Sequence, residues 1–337
     1  MLKFISISKN HNDETQLKAI PFIEEWKNES KTFITQQTSG STGKPKLISI
    51  DKRQLIASAR MTGDFFQLEK CQSALLCISP EYIGGKMMLV RAMEYQLDLY
   101  TAPINANPIK ELTVPIDFAA MVPLQVQTIL ATNPEKLDLI RYLIIGGAPV
   151  SKQLEERLQT SSCIAYSTFG MTETISHIAL KRLDHTNTPF VGIGKSIFSE
   201  NNGCLVVTSP ELDIKYLMTN DAIEIINSTS FHWKGRIDNV INTGGVKVFP
   251  EQIEQKLSSK YNTEHFFIAS KKDERLGESV IAVLLQNEIN KEDFKNQYTQ
   301  LLEKYEQPKE SYVLEHFVYL ANHKLDRKRM LNEINTK

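Results

Sequence analysis

Short apolar runs alternate with amphipathic segments between about residues 50 and 170. Helical spacing of apolar residues predicts helices at 52–66, 85–96, 123–131 and 151–159. Short apolar runs predict strands at 74–78, 118–122, 142–145 and 163–166. Because continuous apolar strands separated by helices are typical of a sheet covered on both faces, this region is predicted to be α/β with a mainly parallel sheet.

The pattern changes twice in the second half of the chain. Residues 203–249 contain short strands and turns, and a different order follows Pro250. That order predicts a helix at 250–260, strands at 266–269 and 279–285, a polar helix at 291–305, a strand at 312–319 and a last helix at the chain end. We therefore predict two domains, a large α/β domain at residues 1–237 and a small α+β domain at 238–337.

Composition narrows the classes of function. The formal net charge is −1, which gives no reason to expect nucleic-acid or anionic-membrane binding. No apolar run reaches 18 residues and the first residues do not resemble a signal peptide, so neither a membrane span nor a secretory signal is expected. The four cysteines are scattered without a CxxC pair, which argues against a zinc site or disulfide framework and for a cytoplasmic protein. A homo-oligomer is left open.

A segment rich in hydroxyls, glycines and lysines precedes the first of these helices. It consists of Thr38, Ser39, Gly40, Ser41, Thr42, Gly43, Lys44, Pro45 and Lys46. Glycines let backbone N–H groups approach an anion closely, and hydroxyls and lysines add donors and charge, so the segment suits a triphosphate. Its two glycines stand too close together for the Walker pattern. A flexible polar loop is the alternative.

A second candidate follows the strand predicted at 163–166. Glu173 is a hard oxygen ligand suited to Mg²⁺, and Phe169 offers a flat ring to adenine. Thr172 and Glu173 also suit a helix cap, which is the commoner role of such a pair. The carboxyl edge of a parallel sheet is where α/β proteins bind ligands, which favours a site here.

Other candidates are ambiguous taken singly. A lone Asp221 in a turn is usually structural, the Gly244–Gly245 pair suits a β-hairpin, and the basic stretch around Lys324 suits the start of a solvated helix. Arg236 is suited to ribose or phosphate contacts.

Together and in this order, these segments resemble the motifs of the adenylate-forming superfamily of acyl-CoA synthetases, luciferases and peptide-synthetase adenylation domains. The resemblance assigns the 38–46 segment, Thr172 and Glu173 to phosphate and magnesium, and Lys324 to the catalytic lysine. It also implies ATP or AMP contacts from Gly146, Gly147, Ala148, Phe169, Gly170, Asp221 and Arg236. It places the hinge at Asp238 and a CoA passage at Gly244 and Gly245.

The resemblance implies two half-reactions that use ATP, Mg²⁺ and CoA. A carboxylic acid is first activated as an acyl-adenylate, and the small domain then rotates so that CoA takes the acyl group. Two positions depart from the family pattern, because Asn220 and His323 stand where glycine is usual. Only 37 residues precede the phosphate segment, so the chain looks like a shortened member.

The acid substrate is indicated less directly. The strings at 79–92 and 170–183 resemble o-succinylbenzoate–CoA ligases of menaquinone synthesis. A second carboxylate and an aromatic ring call for an apolar pocket with a cation or strong donors, for which the candidates are Lys86, Arg91, Ser167, Thr168 and His177. Lys86 and Arg91 also suit an exposed helix face, and His177 suits a core. Another aryl- or acyl-CoA ligase, a carrier-protein-loading enzyme and a non-catalytic nucleotide binder remain alternatives.

Overall fold

The computed structural model describes residues 2–7, 14–37, 47–184, 188–319 and 325–335. The predicted phosphate segment at 38–46 and the predicted catalytic Lys324 therefore lie outside the described residues. The helices are α1 (Glu14–Lys27), α2 (Lys52–Phe66), α3 (Ile83–Glu94), α4 (Pro123–Thr132), α5 (Lys152–Leu158), α6 (Pro250–Leu257), α7 (Lys291–Leu301) and α8 (Arg327–Asn335).

The strands form one twelve-stranded sheet, one five-stranded sheet and one separate hairpin. Those before residue 200 are β1 (Phe4–Ser6), β2 (Phe33–Gln37), β3 (Leu47–Asp51), β4 (Ser73–Leu76), β5 (Asp98–Thr101), β6 (Ile116–Met121), β7 (Ile140–Ile145), β8 (Ile164–Gly170), β9 (His177–Arg182), β10 (Phe190–Gly192) and β11 (Ile197–Asn201). Those after it are β12 (Cys204–Ser209), β13 (Ile214–Asn227), β14 (Ser230–Arg236), β15 (Ile241–Thr243), β16 (Val246–Val248), β17 (Phe266–Asp273), β18 (Gly277–Leu285) and β19 (Glu310–Leu314).

The larger sheet has twelve strands in the order β1-β5-β4-β6-β7-β8-β9-β10-β14-β13-β12-β11. Every pair from β1 to β8 is parallel, which confirms the α/β prediction for this half. Every pair from β8 to β11 is antiparallel. Short connections, which suit antiparallel pairing, join most strands of this second half. With one parallel and one antiparallel half, the complete sheet is mixed.

Two apolar layers cover the parallel half, one on each face. Strand β6 shows this most clearly, because Phe118 and Ala120 belong to one core cluster and Ala119 and Met121 to the other. Helices α2 and α3 pack into the first cluster, and α4 and α5 into the second. Successive strand residues face opposite sides of a sheet, so burial on both faces explains the continuous apolar runs.

The small sheet lies entirely after residue 240 and has the order β16-β15-β18-β17, with β19 parallel to β18. Helices α6 and α7 cover one face and α8 the other, as expected for an α+β unit. One link to the larger unit is a hydrogen bond of 2.9 Å from the Lys152 amide at the start of α5 to the Ser258 hydroxyl after α6. Across the described ranges, no helix combines the length and apolarity that a membrane span requires.

Candidate active site

Two turns lie side by side at the carboxyl edge of the parallel strands. Gly146, Gly147 and Ala148 follow β7, and a single 3-10 turn, Thr172–Thr174, follows β8. The two strands are in register, and the Thr168 hydroxyl donates to the Ile145 carbonyl at 3.3 Å. These turns occupy the edge where α/β sheets bind ligands, so the structure brings together the predicted adenine-side and magnesium-side segments.

The turn after β8 is held tightly against the start of β9. Gly170 pairs with His177, and a Cβ at position 170 would lie 2.3 Å from the Ser176 carbonyl oxygen, so only glycine fits. The Thr174 hydroxyl accepts from the Met171 amide at 2.9 Å and donates to the Ser176 carbonyl at 2.8 Å. Ile175 has φ +67°, which is rare for a β-branched residue. This compact loop fixes the direction of the segment that carries Thr172 and Glu173.

Glu173 is the carboxylate best placed to hold a cation in this turn. Its side chain is exposed and makes no hydrogen bond or ion pair within the described part of the chain. No group of three or more His, Cys, Asp or Glu side chains suited to a metal occurs among the described residues. Magnesium is usually held by one or two carboxylates together with substrate phosphates, and Glu173 fits that arrangement.

Phe169 lies in an aromatic cluster below the turn. Its half-buried ring meets Phe231 edge-on, with centroids 5.2 Å apart, and Phe190 at 5.8 Å. These contacts give the ring a structural role in the core. Its contact with adenine stays a prediction.

Asp221 and Arg236, the two residues assigned to the ribose side, face each other across strands β13 and β14. They are register partners, with Arg236 Nη1 3.9 Å from Asp221 Oδ2. The indole N–H of Trp233 donates to Asp221 Oδ1 at 2.9 Å. Burial raises the pKa of Asp221, while Trp233 and Arg236 oppose that rise. Asp238, the predicted hinge, accepts from Arg236 at 3.0 Å and from Asn220 at 3.1 Å.

A buried polar network joins α2, α3 and the start of β9. Arg91 Nη2 donates to the Ser176 hydroxyl at 3.1 Å, and His177 Nε2 lies 3.1 Å from the Thr62 hydroxyl. Burial lowers the pKa of Arg91 to about 9. Burial, followed by the charge of Arg91, lowers the pKa of His177 well below its usual range, so this imidazole is neutral at pH 7.

Arg91 is 1% exposed and has no carboxylate partner among the residues that the structure describes. Its Nε atom makes no hydrogen bond there, and neither does the buried Ser58 hydroxyl on α2. An unpaired buried charge is costly. The burial of Arg91 excludes the alternative of an exposed helix face, and its environment favours an anionic partner.

The five acid-site candidates do not lie together. Arg91 and His177 share the network just described. Lys86 instead turns towards β2, where its amine donates to Gln36 at 2.8 Å and burial lowers its pKa. Ser167 and Thr168 are adjacent on β8, so their side chains project to opposite faces of the sheet.

The predicted CoA segment is a β-hairpin turn between β15 and β16. Gly244 and Gly245 have φ +60° and +84° and are exposed, and the Gly244 amide donates to the Leu276 carbonyl at 2.9 Å. Contact with CoA stays a prediction. Beside the predicted catalytic lysine, Tyr319 and Leu325 form an antiparallel bridge.

Three polar residues that make these hydrogen bonds were not among the candidates predicted from the sequence: Thr62, Ser176 and Trp233. Ser176 lies inside the string that resembles the ligases, so its position beside His177 was the available signal. Thr62 and Trp233 carry no such signal, because only the packing of α2 and the pairing of β14 bring them to the site.

The family model for AMP-binding enzyme matches residues 3–211. The chain belongs to this family and is an adenylate-forming acid–CoA ligase. Members of the family use ATP. The turns at the carboxyl edge of the sheet lie where an α/β sheet would bind such a ligand.

Among curated relatives, a 2-succinylbenzoate–CoA ligase of Bacillus mycoides is 26% identical over 351 residues, covering 93% of this chain and 72% of that protein. The solved acyl-CoA synthetase (AMP-forming)/AMP-acid ligase II-like protein from Dyadobacter fermentans is 33% identical, with a TM-score of 0.62 and coverage of 97% of this chain and 96% of that chain. The o-succinylbenzoate coenzyme A synthetase from Bacillus subtilis, solved with ATP and magnesium ion, has a TM-score of 0.77 at 18% identity over 88% of this chain and 69% of its own, and supports the fold.

Proposed function

We propose that this protein activates o-succinylbenzoate with ATP and transfers the acyl group to CoA, as a cytoplasmic step of menaquinone biosynthesis. The observation that carries this choice is the buried Arg91 guanidinium, which has no carboxylate partner in the described ranges. The 2-succinylbenzoate–CoA ligase names of the relatives support the same choice.

The chemistry of o-succinylbenzoate suits this environment. The molecule carries two carboxylates and an aromatic ring, and only one carboxylate is activated. The other carboxylate needs a cation in a site that is otherwise apolar. Arg91 supplies a fixed planar donor set for a carboxylate. The neutral His177 adds polarity without adding a second charge, and core residues such as Met88 and Ile178 surround the network with apolar groups.

In the first half-reaction an oxygen of the substrate carboxylate attacks the α-phosphorus of ATP, and the bond to pyrophosphate breaks. Negative charge accumulates around the α-phosphate, so catalysis depends on donors and cations that are already in place. Residues 38–46 and Lys324 are the proposed donors. Glu173 would hold Mg²⁺, which supplies charge neutralisation when bound. Asp221 would accept from the ribose hydroxyls.

In the second half-reaction the CoA thiolate attacks the acyl carbon of the mixed anhydride, and AMP leaves. We propose that the small unit rotates about Asp238 between the two steps, withdrawing Lys324 and presenting the hairpin turn at Gly244 and Gly245. One of its contacts with the large unit, the hydrogen bond between Lys152 and Ser258, is polar and therefore exchangeable with water.

The test is product identification with the purified protein, ATP, Mg²⁺, CoA and separate acids: o-succinylbenzoate, benzoate, and medium-chain fatty acids. We expect pyrophosphate and o-succinylbenzoyl-CoA by mass with the first acid only. Turnover of another acid would keep the ligase chemistry and refute the menaquinone role. Acyl-adenylate without thioester would favour an enzyme that loads a carrier protein. Binding of ATP without turnover of any acid in a wider panel would favour a non-catalytic binder.

A further inference from the structure

We propose that Trp233 is a positioning residue for the nucleotide site, where its indole N–H fixes the Asp221 carboxylate to receive the ribose hydroxyls of ATP. The proposal rests on the proposed function, because it takes Asp221 as the ribose acceptor. Trp233 does not contact the nucleotide in this account and acts through Asp221 alone.

A break in the pairing of β13 with β14 places the indole beside the carboxylate. Ala222 pairs with Gly235, but Ile223 pairs with Trp233, so Lys234 is an additional residue without a partner in the ladder. Gly235 has φ +147°, a backbone angle that glycine adopts readily. This β-bulge shifts the side chains of β14 by one position relative to β13.

The shift decides which side chain shares a face with Asp221. Asp221 and Ile223 project to one face of β13, and Trp233 lies opposite Ile223 on that same face. With regular pairing, Lys234 would stand there instead. Lys234 points to the other face, where its amine forms an ion pair of 3.0 Å with Glu224.

Trp233 and Lys234 differ in charge, and this difference decides how each would interact with Asp221. A lysine at this place would pair its charge with the buried Asp221 carboxylate and compete with ribose for both oxygens. The indole has a single neutral N–H, which it gives to Oδ1 at 2.9 Å. The Arg236 guanidinium stays 3.9 Å from Oδ2, beyond hydrogen-bond distance. The carboxylate thus receives its stronger side-chain hydrogen bond from Trp233 and a weaker one from Thr219, and it keeps acceptor capacity for a ligand.

Calorimetric titration of the full chain with Mg-ATP and with Mg-2′,3′-dideoxy-ATP tests this role without requiring turnover. Trp233→Phe keeps an aromatic ring and removes the N–H. We expect its Kd for ATP to rise about tenfold, the size of one hydrogen bond to a charged group, and its Kd for dideoxy-ATP to change less than about twofold. Trp26→Phe, at the only other tryptophan, is the matched control and should bind both nucleotides like the natural protein.

Two results would overturn the positioning role: an unchanged Kd for ATP in Trp233→Phe, or an equal loss for both nucleotides, which is the mark of a merely structural residue. A natural protein that binds both nucleotides equally would instead refute the ribose site at Asp221, and one that binds no ATP would refute the proposed function.

A second readout leaves Trp233 in place. In Trp26→Phe, Trp233 is the sole tryptophan, so tryptophan fluorescence reports on the surroundings of Trp233 alone, including its hydrogen bond to Asp221. We expect saturating ATP to change its emission more than saturating dideoxy-ATP does. Equal changes with both nucleotides would contradict the proposal.

Discussion

Arg91 and His177 contact the same hydroxyl group: Ser176 Oγ lies 3.1 Å from Arg91 Nη2 and 3.4 Å from His177 Nδ1. Both side chains are buried, and a protonated imidazole there would face a guanidinium with no carboxylate from the described ranges between them. The network therefore holds one positive charge, on Arg91. This arrangement leads to separate predictions for stability and for substrate choice.

The buried His177 should make folding stability depend on pH. Its pKa in the folded protein lies well below the value of about 6.5 expected in the unfolded chain, so the unfolded state takes up the proton first. The stability contribution is fully present above pH 6.5 and is lost as the pH falls from there towards the folded pKa, by about 1.4 kcal/mol per pH unit. Urea unfolding at pH 7, 6 and 5 measures this slope. His177→Gln should flatten it, whereas His316→Gln, at an exposed histidine, should not; equal slopes in all three proteins would contradict the account.

Arg91→Met should separate stability from substrate recognition. Methionine fills a comparable apolar volume and removes an uncompensated buried charge, so the free energy of unfolding should stay equal or rise by about 1 kcal/mol. The KM for o-succinylbenzoate should rise roughly 100-fold, since the second carboxylate loses its buried partner. Arg91→Lys keeps the charge and should give an intermediate KM.

The matched comparison for Arg91→Met is a monocarboxylate analogue that lacks the second carboxylate. The natural protein should turn over this analogue more slowly than o-succinylbenzoate. Arg91→Met should turn over the analogue at the same rate as the natural protein does. A proportional loss for both acids would show that Arg91 only supports the loop after β8.

Gly235→Ala should destabilise the fold where the small unit meets β14. A Cβ at this position would lie 2.4 Å from Glu251 Oε2, a buried oxygen with no described hydrogen bond, at a φ of +147°. Because this φ is nearly exclusive to glycine and the Glu251 carboxylate would have to move, we expect a loss of about 2–3 kcal/mol in the free energy of unfolding by urea. Gly203→Ala also has positive φ, at +80°, but has nothing within 4 Å, so it should cost only about 1 kcal/mol. Equal costs would contradict the crowding at Glu251.

Asp238→Pro should impair thioester formation much more than adenylation, because proline restricts the backbone torsion at the proposed hinge. Single-turnover assays that follow acyl-adenylate and acyl-CoA separately measure the two steps. Asp238→Asn is the control, since it leaves the backbone free while changing the carboxylate that contacts Asn220 and Arg236. Equal loss of both steps in Asp238→Pro would exclude a hinge role.

Local patterns sufficed for much of the fold. The helix predicted at 52–66 has those bounds in the structure, where the Asp51 side chain caps it by accepting from the Arg53 amide. The strand predicted at 142–145 forms the end of β7. Helix α1 was not predicted; Pro21 lies inside it, and proline usually breaks helices. The antiparallel half of the sheet depends on pairings between distant segments, which periodicity does not encode.

The candidate site was predictable only in part. Each turn follows a predicted strand, so its place at the carboxyl edge was expected, whereas the pairing that makes the two turns adjacent was not. The burial of the Arg91 side chain was not expected, because a charged residue within an apolar helix pattern can equally well face solvent. Trp233 reaches Asp221 through one additional residue in β14, and no feature of the sequence marks where pairing slips by one position.

The most direct test of the central claim is ATP–pyrophosphate exchange in the absence of CoA. The exchange requires reversible formation of an acyl-adenylate and does not depend on the second half-reaction. We predict that labelled pyrophosphate enters ATP only when o-succinylbenzoate and Mg²⁺ are both present. No exchange with this acid, in a protein that binds ATP, would contradict the account.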